Sequence, residues 1–210
     1  MTTVEKIKQE KIIAIVRGVE KENIENTIHA LLAGGISCIE VTMDSPNAQE
    51  SLALAKKTFG DHILLGAGTV LNAASAEQVL DLGCDYILSP ILDIETINLC
   101  TKYHKIAIPG VFTPTEAYQA YLAGASFVKV FPVSSSGPGY IKDMLGPLKQ
   151  LQIIAVGGID ENNAASYLQA GSVAVGIGSS LVNKAWIEKG HFDQLTQKAK
   201  QLVKTTRGDT

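Results

Sequence analysis

Along the 210 residues, short apolar runs rich in β-branched side chains alternate with longer stretches in which apolar residues recur every three or four positions. The first pattern reads as buried strand and the second as amphipathic helix. The strand candidates are Ile12 to Val16, Ile36 to Val41, Ile63 to Gly66, Tyr86 to Leu88, Ile106 to Ile108, Phe127 to Phe131, Ile153 to Val156 and Val173 to Ile177. A helical stretch follows each of them. Four such stretches end on a glycine just before the next strand, in LLAGGIS, LDLGCDY, YLAGASF and LQAGSVA, where a left-handed residue closes a helix. Strands separated by helices form parallel βαβ units, and eight in succession close into a barrel. The fold expected is α/β, a single (β/α)8 TIM barrel over residues 1–210, with a short N-terminal helix and a polar tail at about 205–210. An open doubly wound sheet is the alternative, but it commonly has fewer strands, and no GxGxxG follows the first strand here.

Composition narrows the function. With 46% hydrophobic and 19% charged residues, the chain can bury a sizeable core. A net charge of −3 supplies no electrostatic reason to seek nucleic acid or an anionic membrane, so a small molecule is the expected partner. Cys38, Cys84 and Cys100 lack CxxC spacing, which speaks against a disulfide framework and fits a reducing cytoplasm. The opening MTTVEKIKQEK is charged and amphipathic, and no apolar run approaches the roughly 20 residues of a membrane span. Arg207-Gly208-Asp209 spells an adhesion tripeptide and is read as chance in a polar tail.

In a β/α barrel, active sites form at the C-terminal ends of the strands. Those ends carry Arg17, Glu40 with Thr42, the run Gly66 to Thr69, Ser89-Pro90, Pro109-Gly110, Lys129 with Phe131-Pro132, Gly157-Gly158, and the run Gly176 to Ser179. Lys129 is the sharpest of these, because it lies inside the apolar run Phe127-Val128-Lys129-Val130-Phe131. Strand alternation turns Val128 and Val130 toward the helices and Lys129 into the barrel. Burial disfavours its ammonium form, and the neutral amine is a nucleophile that converts a ketone to a carbinolamine and then an iminium. The residues alone leave a second reading, a lysine whose stem packs while its head pairs with a carboxylate.

Glu40 points inward by the same alternation, from a strand on the opposite side of the barrel. It is either a plain buried ion-pair partner or the acid/base that shuttles protons for Lys129. Gly157-Gly158 and Gly178-Ser179 follow strands seven and eight, where barrels commonly bind phosphate through backbone N–H groups. A short helix is expected to start near Ser179, and ordinary tight loops are the alternative. Arg17 could grip a substrate carboxylate with Thr69 adding a hydroxyl, or both could be solvated rim residues. Ser134 to Pro138 reads as a flexible loop entering a helix, with Pro138 in its first turn. His29, His62, His104 and His191 fall away from the rim, so neither a metal nor another cofactor is expected.

These residues resemble those of the bacterial 2-keto-3-deoxy-6-phosphogluconate aldolases, the KDPG/KHG aldolase family. IVRG, IEVT, GAGTV, SP at Ser89-Pro90, PG at Pro109-Gly110, VKVFP, VGGI and GIGSS stand in the family's order and approximate spacing, over nearly the whole chain. The resemblance implies a class I aldolase, a lyase of Entner–Doudoroff carbohydrate metabolism. In it Lys129 forms the Schiff base, Glu40 is general acid/base, and Arg17 and Thr69 bind the pyruvate portion. Gly157, Gly158 and Ser179 bind phosphate, and Pro90 and Phe131 line the pocket. The reaction implied is cleavage of the phosphorylated 2-keto acid to pyruvate and glyceraldehyde 3-phosphate, with cleavage of 4-hydroxy-2-oxoglutarate to pyruvate and glyoxylate as a second activity. A homotrimer is also implied.

Two departures matter. Asp44 stands where some members have an arginine, so a substrate carboxylate contact is absent there and Arg17 carries more weight. Val156 stands where some gluconate-type members have threonine; galactonate-type relatives have valine there and a similar FPxSxxGPxYIK stretch. The gluconate substrate is placed first and the galactonate epimer second. A barrel that binds a phosphorylated metabolite without turning it over is the non-enzymatic alternative.

Overall fold

The structure is a computed structural model that describes residues 1–208. Its strands are β1 (Ile12–Val16), β2 (Cys38–Thr42), β3 (Leu64–Gly68), β4 (Tyr86–Leu88), β5 (Ile106–Ile108), β6 (Gly110–Val111), β7 (Val128–Val130), β8 (Ile153–Val156) and β9 (Ala174–Ile177). The α-helices are α1 (Thr3–Glu10), α2 (Lys21–Ala33), α3 (Ala48–Phe59), α4 (Ala73–Asp81), α5 (Ile94–Lys102), α6 (Pro114–Leu122), α7 (Gly137–Leu145), α8 (Ala164–Gln169), α9 (Lys184–Glu188) and α10 (Phe192–Arg207). All strand pairings are parallel, and the sheet runs β5-β4-β3-β2-β1-β9-β8-β7-β6. Its two ends, β5 and β6, are halves of one barrel strand separated by Pro109, which has no N–H to give a ladder. One half pairs with β4 and the other with β7, so the eight-stranded ring is completed through this interrupted strand. The expected TIM barrel is the fold observed.

Alternation sorts the strand residues into two cores. Residues such as Ile39, Val41, Val128, Val130 and Ala155 join the layer between barrel and helices. Ile13, Ile15, Tyr86, Phe127 and Ile154 fill the barrel itself. Ile7 of α1 joins this inner cluster and is fully buried, so the N-terminal helix packs with the barrel interior. A capping box between Thr2 and Glu5 starts that helix and fixes its direction.

The four helix-ending glycines adopt the left-handed backbone their position calls for: Gly35, Gly83, Gly124 and Gly171 have φ between 86° and 111°. This return also explains a shifted boundary. The second strand was expected from Ile36, but the Ile36 N–H donates back to Leu31 O at 2.9 Å, so the strand starts only at Cys38. At the other terminus α10 extends through Arg207, well into the expected polar tail. Thr206 is buried, and Arg207 donates to the Glu10 carboxylate at 2.5 Å and, through Nε, to the Glu10 carbonyl at 2.9 Å. The amphipathic pattern continues through these polar residues because their partners come from α1. Asp209, the last residue of the adhesion-like tripeptide, and Thr210 lie outside the described residues.

Candidate active site

Of the residues read at the rim, the nine given a site role all line one cavity of about 490 Å³ at the C-terminal end of the barrel, namely Arg17, Glu40, Thr69, Pro90, Lys129, Phe131, Gly157, Gly158 and Ser179, whereas Thr42, Ser89, Pro109, Gly110 and Pro132 do not border it. Ile15 and Val156 add apolar wall. The strand ends deliver these groups because the ladder sets their heights: Glu40 lies level with Ile15 and Gly66, and Lys129 with Gly110 and Ile154.

Lys129 and Glu40 are 5% and 1% exposed. Burial depresses the Lys129 amine below its ordinary value, against the opposing pull of the Glu40 carboxylate; the positive Arg17 lowers it further. Burial likewise raises the Glu40 carboxyl, while the positive charges of Lys129 and Arg17 draw it back down. The two groups therefore influence one another, yet no ion pair at 4.0 Å or less joins them. Glu40 Oε2 has no hydrogen-bond partner among the described residues. Lys129 Nζ stands 4.9 Å from the centre of the Phe131 ring. A lysine stapled to a carboxylate is thus not what the barrel contains. An amine and a carboxyl face one cavity with their reactive atoms uncommitted.

Arg17 and Thr69 meet directly, the guanidinium NH2 donating to Thr69 Oγ1 at 3.0 Å. Thr69 has φ 57°, a left-handed conformation strained for a β-branched residue. The other guanidinium nitrogen, NH1, is held by Asp44. That contact was not anticipated, because the sequence does not reveal that the loop after β2 folds back toward the end of β1.

The two glycine loops take different forms. Gly157 and Gly158 both have positive φ, 110° and 69°. Asn163 braces this loop, donating to the Gly158 carbonyl at 2.9 Å and accepting from the Asp160 N–H at 3.0 Å. The helix expected to begin near Ser179 is not formed. Leu181 and Val182 instead donate to the Gly178 carbonyl at 2.9 and 2.8 Å, making a single turn, and helix begins at Lys184 behind its Asn183 cap. Such a turn leaves its first N–H groups, those of Ser179 and Ser180, without an acceptor inside it. Ser180 Oγ donates to Ile159 O at 2.5 Å and ties the two loops together. Ser180 and Asn163 were not read as site residues from the sequence, and Gly68 stood in the rim run Gly66 to Thr69 without a role. The paired serines of GIGSS were the available signal for Ser180, whereas Gly68 matters only through its neighbour. Ser134 and Ser135 belong to a short 3-10 turn rather than an open loop, and Pro138 stands in the first turn of α7 as expected.

Among the described residues no group of three or more His, Cys, Asp or Glu is arranged to hold a metal ion, and no helix is long and apolar enough to cross a membrane.

A parallel barrel with an acid and an amine buried at its C-terminal mouth defines a class of carbonyl-handling barrel enzymes. Residues 3–198 match the family model for KDPG and KHG aldolase, and the chain belongs to that family. It is 41% identical over 171 residues to the probable 2-dehydro-3-deoxy-6-phosphogalactonate aldolase of Rhizobium meliloti (strain 1021), covering 81% of each chain. Over 197 residues it is 32% identical to the 2-dehydro-3-deoxy-6-phosphogalactonate aldolase of Escherichia coli (strain K12), covering 93% of this chain and 94% of the other. In structure it matches the KDPG aldolase of Legionella pneumophila with pyruvate captured as a covalent carbinolamine intermediate, at TM-score 0.90 and 28% identity, covering 96% of this chain and 98% of that one. The protein is an aldolase, and so a lyase.

Proposed function

We propose that this aldolase works by imine formation at Lys129 on a 2-keto-3-deoxy-6-phosphohexonate, with the galactonate epimer as its principal substrate. The observation that carries the mechanism is the buried Lys129 amine, depressed by burial and without a carboxylate within 4.0 Å. Neutral Nζ adds to the C2 carbonyl, Glu40 transfers the protons that turn the carbinolamine hydroxyl into leaving water, and the iminium forms. Glu40 then takes the C4 hydroxyl proton as the C3–C4 bond breaks. The aldehyde departs, and the electron pair of that bond enters the enamine. Reprotonation at C3 and hydrolysis release pyruvate and restore the amine.

Arg17 and Thr69 hold the carboxylate beside C2. The N–H groups around Gly157, Gly158 and Ser179 hold the phosphate, and Pro90 and Phe131 shape the wall between. The galactonate preference, placed second from the sequence, is supported by the names of the relatives quoted above and by Val156, which lines the cavity. Cleavage of the gluconate epimer and of 4-hydroxy-2-oxoglutarate are the secondary activities of this reading. A cytoplasmic homotrimer completes it; exposed Leu71, Ile91, Ile94 and Phe112 supply apolar surface for contact between copies.

Borohydride reduction in the presence of pyruvate tests the mechanism: a pyruvyl adduct on the peptide carrying Lys129, lost in Lys129→Ala, is the expected result, and no adduct in the native chain refutes it. Comparing kcat/KM for the two phosphorylated epimers tests the substrate; a higher value for the gluconate epimer reverses the assignment.

A further inference from the structure

Asp44 holds NH1 of Arg17 while Thr69 Oγ1 accepts from NH2 at 3.0 Å. The pair is half-exposed, but the loop carrying it is fastened. Ser45 Oγ accepts from the Gly18 N–H at 2.7 Å and lies 2.8 Å from buried Thr42 Oγ1, so the residues that follow Asp44 and Arg17 are joined to each other. This backbone clamp keeps the carboxylate of one loop against the guanidinium of the next. Arg17 borders the cavity, whereas Asp44 is absent from its lining. The guanidinium therefore faces the substrate space with an anion already behind it.

We infer that Asp44 determines specificity by acting through Arg17: it neutralises the carboxylate subsite and takes up part of the guanidinium fork, so that a lone 2-keto monoacid is held weakly. Affinity then depends on the phosphate end of the substrate. Once the phosphorylated aldehyde has left and hydrolysis has cut the imine to Lys129, the free pyruvate monoanion has no strong tether, which favours its release. The inference rests on the reading of Arg17 as the carboxylate ligand. A planar guanidinium offers five donors in a fixed fork, and an anion already on NH1 compromises a symmetric two-point grip on a second carboxylate. It also repels that carboxylate at short range.

The test measures half-saturation of borohydride trapping by pyruvate and by methyl pyruvate, its uncharged ester, in the native chain, Asp44→Asn and Arg17→Met. Asparagine keeps the size and an oxygen acceptor and removes the charge. The expected result is a threefold to tenfold lower half-saturation for pyruvate in Asp44→Asn, roughly what one half-exposed charge pair controls, with methyl pyruvate unmoved. A merely structural role would move both ligands alike. Unchanged or weaker pyruvate trapping, or an equal shift for the ester, overturns the inference. Arg17→Met separates the two failures. If it weakens pyruvate and spares the ester, Arg17 is the carboxylate ligand, and failure in the Asp44 arm overturns this inference alone. If it leaves the ratio of the two untouched, the assignment of Arg17 falls and takes this inference with it.

Discussion

A methyl group on Gly68 would lie 1.5 Å from Glu40 Oε1 and 2.3 Å from its carboxyl carbon, so the last residue of β3 lacks a side chain where the carboxyl of β2 needs room. Gly68→Ala must move Glu40, because the alanine methyl is fixed to the strand while the carboxylate is the far end of a rotatable chain. Overpacking of this kind costs about 1–3 kcal/mol, and the displaced acid/base should cost about a hundredfold in turnover. Urea unfolding and steady-state cleavage rates measure both. Native turnover in a folded Gly68→Ala protein would show that the observed position of Glu40 is immaterial.

The raised Glu40 carboxyl makes a prediction about stability against pH. An unfolded chain loses this proton near the ordinary 4.5, whereas the folded chain keeps it to higher pH. Between those values the folded state binds the extra proton, so this group's contribution to stability falls as pH rises. Glu40→Gln carries no titrating proton and escapes that loss. Its stability relative to the native chain should therefore increase as pH is raised from 4 through the raised range of Glu40, as read by denaturant midpoints at several pH values. A difference that stays flat with pH would contradict the burial argument.

Imine trapping should respond in the same direction as the Lys129 environment. The Glu40 carboxylate raises the amine toward protonation, opposing the depression by burial. Removing that charge in Glu40→Gln should move the rising limb of the pyruvate-trapping profile to lower pH, even though later proton transfers become slower. A limb displaced to higher pH would mean that Glu40 does not act on Lys129 as a charge.

Strand alternation makes the inward direction of Lys129 and Glu40 legible in the sequence, because a period of two leaves one choice of face once the flanking valines and isoleucines are buried. The helix-closing glycines were legible for a similar local reason. What could not be read were the side-chain relations between neighbouring strands and the loops that follow them. The space Gly68 leaves for Glu40, the contact of Asp44 with Arg17 and the tie from Ser180 to Ile159 each join residues on different strands or loops. The break at Pro109 was hidden because Ile106 to Ile108 read as the whole strand and Pro109-Gly110 as its end, whereas the ladder resumes at Gly110-Val111. The turn at Ser179 departed from the expected helix because helix formation is deferred to the Asn183 cap.

Thr69 illustrates a cost accepted for geometry. Its left-handed backbone costs about 1–2 kcal/mol for a residue with a β-carbon, and the same conformation sets the hydroxyl 3.0 Å from Arg17. Thr69→Gly should leave the fold equally stable or up to about 1 kcal/mol more stable, while raising the half-saturation for pyruvate severalfold. Thr69→Ala keeps the strain and loses the hydroxyl, so it should be weaker in binding without the gain in stability. If Thr69→Gly destabilises the protein more than Thr69→Ala does, backbone strain at this position is not what its stability reports.

Gly158 separates the two ends of the proposed substrate. Its φ of 69° already disfavours any side chain, and a β-carbon there would stand 2.8 Å from the Ser134 Cβ. Gly158→Ala therefore has to shift the loop between β8 and α8, or the 3-10 turn that faces it, by several tenths of an ångström, at a cost of about 1–3 kcal/mol. Lys129 and Glu40 lie on β7 and β2 and Arg17 directly follows β1, so their backbone is not carried along by that loop. The expected signature is a split: KM for a phosphorylated substrate rises at least tenfold, whereas pyruvate trapping at Lys129 changes less than twofold. Equal loss with phosphorylated substrate and with pyruvate would show that the loop supports the barrel mouth as a whole rather than binding the phosphate end.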